Sequence, residues 1–185
     1  QDDRDIGESE YRYALAAKAC GIDMPEVRLF PSKRCSGYFG VRRFDRVPDA
    51  SGVARKVHMV SAGALLETSH RIPLMTLTLE LTKDYSEVEK MYRLMCFNVL
   101  AGNRDDHAKN FSYLYDEDRA VWTLSPAYDL TRNAGMNGEH ATTVNGKGKG
   151  IGLDDLVSVG VKAGLSKSSA RTIADEVRQA TAGRL

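Results

Sequence analysis

The sequence predicts an α+β fold, mostly helical with small β elements. Three observations carry this: two long segments whose apolar residues recur at spacings of three and four, several short β-prone runs closed by turn residues, and no internal repeat. In chain order, residues 8–20 form a first helix, with Tyr11, Ala14, Leu15 and Lys18 on helical spacings and Gly21 as its stop. Val27-Arg28-Leu29-Phe30 and Tyr38-Phe39-Gly40-Val41-Arg42-Arg43-Phe44, bounded by Pro, Ser and Gly, form two strands of a hairpin or sheet edge. Residues 49–81 keep no single period, being interrupted by Gly52, Gly63 and Pro73, and are read as short helices. From Ser86, Val88, Met91, Tyr92, Met95, Cys96, Val99 and Leu100 recur at three and four. Ser86 and Glu89 have capping-box spacing, Leu94 and Phe97 imply burial on more than one side, and Gly102 ends the helix. Phe111-Ser112-Tyr113-Leu114-Tyr115 and Ala120-Val121-Trp122-Thr123-Leu124 flank the turn Asp116-Glu117-Asp118-Arg119 and form a hairpin. A Gly- and Asn-rich loop over 133–152, with at most one short strand at Thr142-Thr143-Val144, leads to helices at 154–163 and 167–181. In the last of these, Ala170, Ile173, Ala174, Val177 and Ala180 form one apolar stripe.

With 185 residues, 42% hydrophobic and 28% charged, the chain is long and apolar enough for a packed core. A net charge of +1, from 26 basic against 25 acidic residues, removes the footprint of a dedicated nucleic-acid binder. No apolar run reaches the ~18–20 residues of a membrane span, and Gln1-Asp2-Asp3-Arg4-Asp5 lacks the layout of a signal peptide, so a cytoplasmic protein without membrane contact is expected. Cys20, Cys35 and Cys96 are odd in number and far apart; they are expected to be reduced and partly in the core.

The densest chemistry is Asn103-Arg104-Asp105-Asp106-His107-Ala108-Lys109-Asn110, between the strongest helix and the hairpin. Beyond the hairpin comes Leu124-Ser125-Pro126-Ala127-Tyr128-Asp129-Leu130. Helix, polar loop, two strands and an Asp-bearing loop is the order of the active-site core in the protein-kinase-like fold, and Arg104-Asp105 with Asn110 reproduces R-D-x-x-x-x-N. The spacing has a chemical reason. An Asp accepts the proton of an attacking hydroxyl, while an Asn five residues on turns back to share Mg²⁺ with a second carboxylate, for which Asp129 is well placed.

These two motifs, with Val41-Arg42-Arg43-Phe44-Asp45-Arg46 and Cys20-Gly21-Ile22-Asp23-Met24-Pro25-Glu26-Val27, resemble the HipA family of bacterial Ser/Thr kinases, the toxins of HipBA-type toxin–antitoxin systems. The resemblance implies the C-terminal lobe of a protein-kinase-like fold over 1–185, with a hinge strand near 38–46, a helical lobe over 75–185 and an active site on a short β-hairpin. It implies ATP and Mg²⁺ as cofactors, a protein substrate, and a HipB-like helix-turn-helix antitoxin as partner, with no direct nucleic-acid contact expected. By the same resemblance Asp105 is the catalytic base and Asn110 and Asp129 are the metal ligands. His107, Lys109 and Asn110 border the nucleotide phosphates, and Arg42-Arg43-Phe44 is the hinge that meets adenine. Arg42 stands where the family motif has Glu, which leaves that adenine contact to backbone groups. The family's phosphate-binding loop and strand lysine lie N-terminal to Glu8, so the chain is expected to be one lobe and to need an N-terminal lobe or chain. Glu10 suits the helix glutamate that pairs with such a lysine, and equally an ordinary surface position.

Several residues also have plainer readings. Taken alone, Asp105 and Asn110 suit a helix cap and a turn. His107 reads as a residue that holds the loop rather than a metal ligand, and Asp106 as a structural acid. Lys109 reads as a phosphoryl-neutralising cation or a solvated lysine. Gly146-Lys147-Gly148-Lys149-Gly150 lacks phosphate-loop spacing and reads as a mobile basic loop, while Tyr113, Tyr115, Trp122, Met91 and Met95 read as core. Two other functions stand beside the kinase: a non-catalytic toxin–antitoxin interaction module, and a metal-dependent phosphohydrolase using Asp105, Asp106, His107 and Asp129.

Overall fold

The computed structural model describes residues 5–66 and 73–185. Helix α1 (Ile6–Ala19) is followed by hairpin β1 (Val27–Phe30) and β2 (Tyr38–Val41), hairpin β3 (Arg46–Pro48) and β4 (Ala54–Lys56), and strand β5 (His58–Ser61). Helices α2 (Ala62–Leu66), α3 (Leu74–Thr82) and α4 (Tyr85–Ala101) come next. The chain closes with hairpin β6 (Ser112–Asp116) and β7 (Val121–Leu124), then α5 (Leu153–Lys162) and α6 (Lys167–Ala182). Strands β5, β6 and β7 make one antiparallel sheet, in which Val60 faces Tyr113 and Tyr113 faces Leu124. The α+β, mostly helical architecture is the expected one.

Helix α4 is the axis of the core. Val88, Met91, Tyr92, Cys96 and Phe97 are fully buried, because their spacing puts apolar groups on every side that meets α3, α6 and β7. Phe97 takes the ring of Tyr13 from α1 edge-on at 6.3 Å, and the Tyr92 hydroxyl donates to the Ala170 carbonyl of α6. Where α5 crosses α6, Gly160 is required by space: a Cβ there would lie 2.7 Å from that of Ala170 and 2.9 Å from the Tyr92 ring.

Three sequence readings change. Residues 49–81 hold the β3–β4 turn and strands β4 and β5 before α2 and α3; positions 67–72 of that reading lie outside the described residues. The β3–β4 turn is made by Asp49, whose carboxylate accepts from the Ser51 and Val53 N–H groups while Gly52 takes φ +81°. The second strand stops at Val41, where the chain turns out along 42–45. Helix α4 starts at Tyr85, capped by Asp84, which accepts from the Ser86 N–H at 2.8 Å, so Ser86 lies inside the helix. The loop over 133–152, where at most one short strand is expected, holds a single bridge between Val144 and Lys147 at that place. The cysteines are free as expected, with Cys20 and Cys96 buried.

Candidate active site

Helix α4 ends because Gly102 takes a left-handed φ of +71°, open to glycine at little cost, and the chain leaves toward the polar loop. Asn103 is buried at its start. Its N–H donates to the Asn98 carbonyl and its amide to the Asn98 side chain at 3.0 Å, and its own Oδ1 has no partner among the described residues. The next residues are stitched to the 133–142 segment: the Arg104 guanidinium donates to the Ala134 carbonyl, and the Arg104 carbonyl accepts from the Ala141 N–H. Asp106 is buried and faces this segment. One carboxylate oxygen lies 3.1 Å from Nδ1 of the buried His140, the other accepts from the Thr142 N–H, and the Asp106 carbonyl accepts from the Thr142 hydroxyl.

With Asp106 turned inward, Asp105 turns outward. Its carboxylate is about half exposed and lies 3.3 Å from Nε2 of the exposed His107. Asn110 closes the loop by donating from its side-chain amide to the Asp105 carbonyl at 2.8 Å, which commits the nitrogen and leaves Oδ1 as the end able to meet a cation. The Asn110 N–H donates to the His107 carbonyl in a tight turn over Ala108–Asn110. Helix α2 comes close to this turn at Gly63, whose Cβ would sit 3.2 Å from the Lys109 nitrogen.

Across the β6–β7 hairpin, Asp129 has a left-handed φ of +56°, a strained conformation for a residue with a side chain, and its carboxylate is exposed. Tyr128 beside it is anchored at three points. Its hydroxyl donates to the Lys109 carbonyl at 2.8 Å, shares a 2.6 Å hydrogen bond with Ser112, and its ring packs on Phe44 with centroids 5.8 Å apart. Burial holds the phenol above its ordinary pKa, against the opposing effect of the Ser112 bond, so it stays a neutral donor. Glu10 of α1 is held above the usual carboxylate range by burial and then by the charge of Asp129, which sets these two acids within electrostatic reach of each other.

Of the residues read from sequence, Asp105, His107, Lys109 and Asn110 therefore share one turn, tied through Tyr128 to the Asp129 loop and to Phe44. Arg42 and Arg43 are engaged elsewhere: Arg42 lies 3.6 Å from Glu26, and Arg43 makes a two-pronged pair with Asp45. Lys147 and Lys149 of the glycine-rich loop face Asp155 at 2.8 Å and Glu139 at 3.5 Å. Sequence reasoning missed His140 and Thr142 on Asp106 and the triple role of Tyr128. Only Tyr128 had a signal, its place in the quoted motif. The Asn110 Oδ1 and the Asp129 carboxylate are hard oxygen donors of the kind Mg²⁺ takes, and two of them leave most of an octahedral shell to phosphate oxygens and water. Among the described residues no three His, Cys, Asp or Glu side chains converge on a metal-sized site, and no helix is long and apolar enough to cross a membrane.

Comparison with known proteins identifies relatives and a family. Two Sinorhizobium fredii proteins bearing the name "Putative kinase" are similar: Y4dM is 27% identical over 88% of this chain and 44% of its own length, and Y4mE is 32% identical over 66% and 31%. The chain thus spans less than half the length of either relative. A chain of the Shewanella oneidensis MR-1 complex of HipA, HipB and operator DNA superposes with a TM-score of 0.76 at 20% identity, over 99% of this chain and 50% of that one, and shares the fold. The model of the HipA-like C-terminal domain matches residues 1–185, so this chain, with its R-D-x-x-x-x-N turn and Asp129 loop, belongs to the family of HipA-like C-terminal domains.

Proposed function

We propose that this chain is the C-terminal catalytic lobe of a HipA-type, ATP-dependent Ser/Thr protein phosphotransferase. The observation that carries the reading is the closed turn in which Asn110 donates to the Asp105 carbonyl while the Tyr128 hydroxyl ties the same turn to the Asp129 loop. In this reading Asp105, outward and half exposed, accepts the proton of a Ser or Thr hydroxyl as it attacks phosphorus. His107, in reach of that carboxylate, orients it, and Lys109 and His107 border the phosphates. Asn110 Oδ1 and the Asp129 carboxylate would hold Mg²⁺, whose contribution when bound is to neutralise charge on the phosphates. The hinge at 42–45 meets adenine through its backbone and Phe44; the side chains of Arg42 and Arg43, paired with Glu26 and Asp45, act as supports of the hinge. Glu10, held above the usual carboxylate range by burial and then by the charge of Asp129, suits pairing with a lysine of an N-terminal lobe. That lobe is supplied by the rest of a longer protein or by a separate chain. A HipB-like DNA-binding antitoxin is the proposed partner, a partnership that operates in the cytoplasm.

The phosphohydrolase alternative loses support from Asp106, which faces His140 and Thr142 instead of joining Asp105, His107 and Asp129 around a metal pair. The deciding experiment is Asp105→Asn in the full-length protein. Phosphate transfer from ATP to protein should fall by about 10²–10⁴-fold, with nucleotide affinity nearly unchanged. Unchanged transfer would overturn the assignment of the base. A full-length wild type that binds its antitoxin but transfers no phosphate would make the chain an interaction module.

A further inference from the structure

The peptide between Lys109 and Asn110 is held at both ends. Its N–H donates to the His107 carbonyl at 2.8 Å, and its carbonyl accepts from the Tyr128 hydroxyl, also at 2.8 Å. A peptide plane fixed on both edges places the Asn110 Cα, and the Asn110 amide on the Asp105 carbonyl then holds the side chain in direction. Tyr128 is itself the neighbour of Asp129. The single bond from Tyr128 to Lys109 therefore spans the gap between the two residues assigned to one cation, one position before each of them in the chain.

We propose that Tyr128 is a positioning residue that sets the separation of Asn110 and Asp129 by bracing the Lys109 carbonyl, and that it couples this separation to the hinge through Phe44. The metal part of the inference rests on the kinase reading above; the brace rests on the hydrogen bonds alone. Ser112 supports the hydroxyl from strand β6, so the donor is aimed at Lys109 by the sheet. The ring of Tyr128 on Phe44 joins the brace to the segment proposed to meet adenine, so an adenine-induced movement of Phe44 has a direct route to the Asn110 turn. Asp129 keeps its left-handed φ because Tyr128 on one side is pinned and Leu130 on the other is buried, so the strained residue has little room to relax.

The test uses the full-length protein with Tyr128→Phe, which keeps the ring and removes only the hydroxyl. Amide exchange at Asn110 should quicken by about tenfold, the scale of one lost hydrogen bond, in protein without nucleotide or metal. Turnover should fall by about tenfold and the Mg²⁺ needed for half-activation should rise, with the KM for ATP nearly constant, since the ring contact to Phe44 survives. Ser112→Ala leaves the Lys109 bond in place and should do clearly less on every readout. If Tyr128→Phe does not fold, difluorotyrosine at 128, a stronger donor of the same shape, should slow exchange at Asn110. Unchanged exchange in a folded variant overturns the brace, and equal damage from Ser112→Ala moves the role to β6. A wild type without Mg²⁺-dependent phosphotransfer overturns the kinase reading instead, whatever the exchange shows.

Discussion

Adjacent carboxylates with opposite fates define the loop at the scale of single residues. Asp105 is half exposed beside His107, whereas Asp106 is sealed against His140 with both side chains about 5% exposed or less. Removing Asp106 orphans the buried His140 ring and the half-buried Thr142 N–H, and each unsatisfied buried group costs about 1–3 kcal/mol. Asp106→Ala should therefore lower the free energy of urea unfolding by about 2–4 kcal/mol, while Asp105→Ala should leave it within about 0.5 kcal/mol. Equal stability of the two variants would show that Asp106 is not the anchor of the loop. The division was partly legible in the sequence. Local spacing identifies Asp105 and Asn110 because a proton acceptor and a metal-facing amide must share one short turn. His140 and Thr142 lie more than thirty positions away and carry no local pattern that would tie them to Asp106.

Among the elements, legibility followed burial. Helix α4 is surrounded, so its apolar spacing is nearly complete and easily read, yet its cap was misplaced by two residues because Asp84 and Ser86 are both good caps. Glu87, off the apolar period of the helix, is nonetheless buried and accepts from the Leu124 N–H at 2.7 Å and from Lys90, which joins α4 to the end of β7. Strands β4 and β5 were invisible for the opposite reason: β4 is fully exposed and β5 half so, and neither shows the alternation that marks a strand. Packing decides the sign of a helix substitution that propensity alone gets wrong. Alanine is favoured over glycine inside a helix by ~1 kcal/mol, but at Gly160 the added methyl would meet Ala170 and the Tyr92 ring at under 3 Å, and overpacking costs about 1–3 kcal/mol. Gly160→Ala should thus lower the urea midpoint, and Ala170→Gly in the same chain should restore part of it. A midpoint at or above wild type would mean that the α5–α6 crossing can spread without loss.

Charge acts mainly in one sense across the whole molecule, through local pairs. The carboxyls of Asp45, Asp49, Glu80 and Asp84 are held below their usual range, by hydrogen bonds from Arg43, Ser51, Lys83 and the Ser86 N–H respectively. Asp155 is held furthest below, by Lys147 first, then by the Gly152 N–H and Asn145, and these bonds fasten the glycine-rich loop to the start of α5. Glu10, raised by burial and by Asp129, works in the other direction. A carboxyl that is depressed in the folded state binds its proton more readily in the unfolded chain. Its contribution is complete above the unfolded value, about pH 4, and is lost as pH falls through the lower folded value. Glu10 opposes folding where it is ionised, and that opposition fades on acidification. Glu10 acts first, as pH falls through its raised value, and the five depressed groups act below about pH 4, so stability should be flat near neutral pH, gain slightly as Glu10 takes up its proton, and fall steadily below about pH 4. Asp155→Asn should flatten that acid limb by removing its most depressed member, and its difference from wild type should shrink as pH falls. Urea midpoints taken from neutral pH into the acid range, for both proteins, measure this. A wild-type midpoint that keeps climbing below about pH 4 would mean that the paired acids do not carry the acid limb.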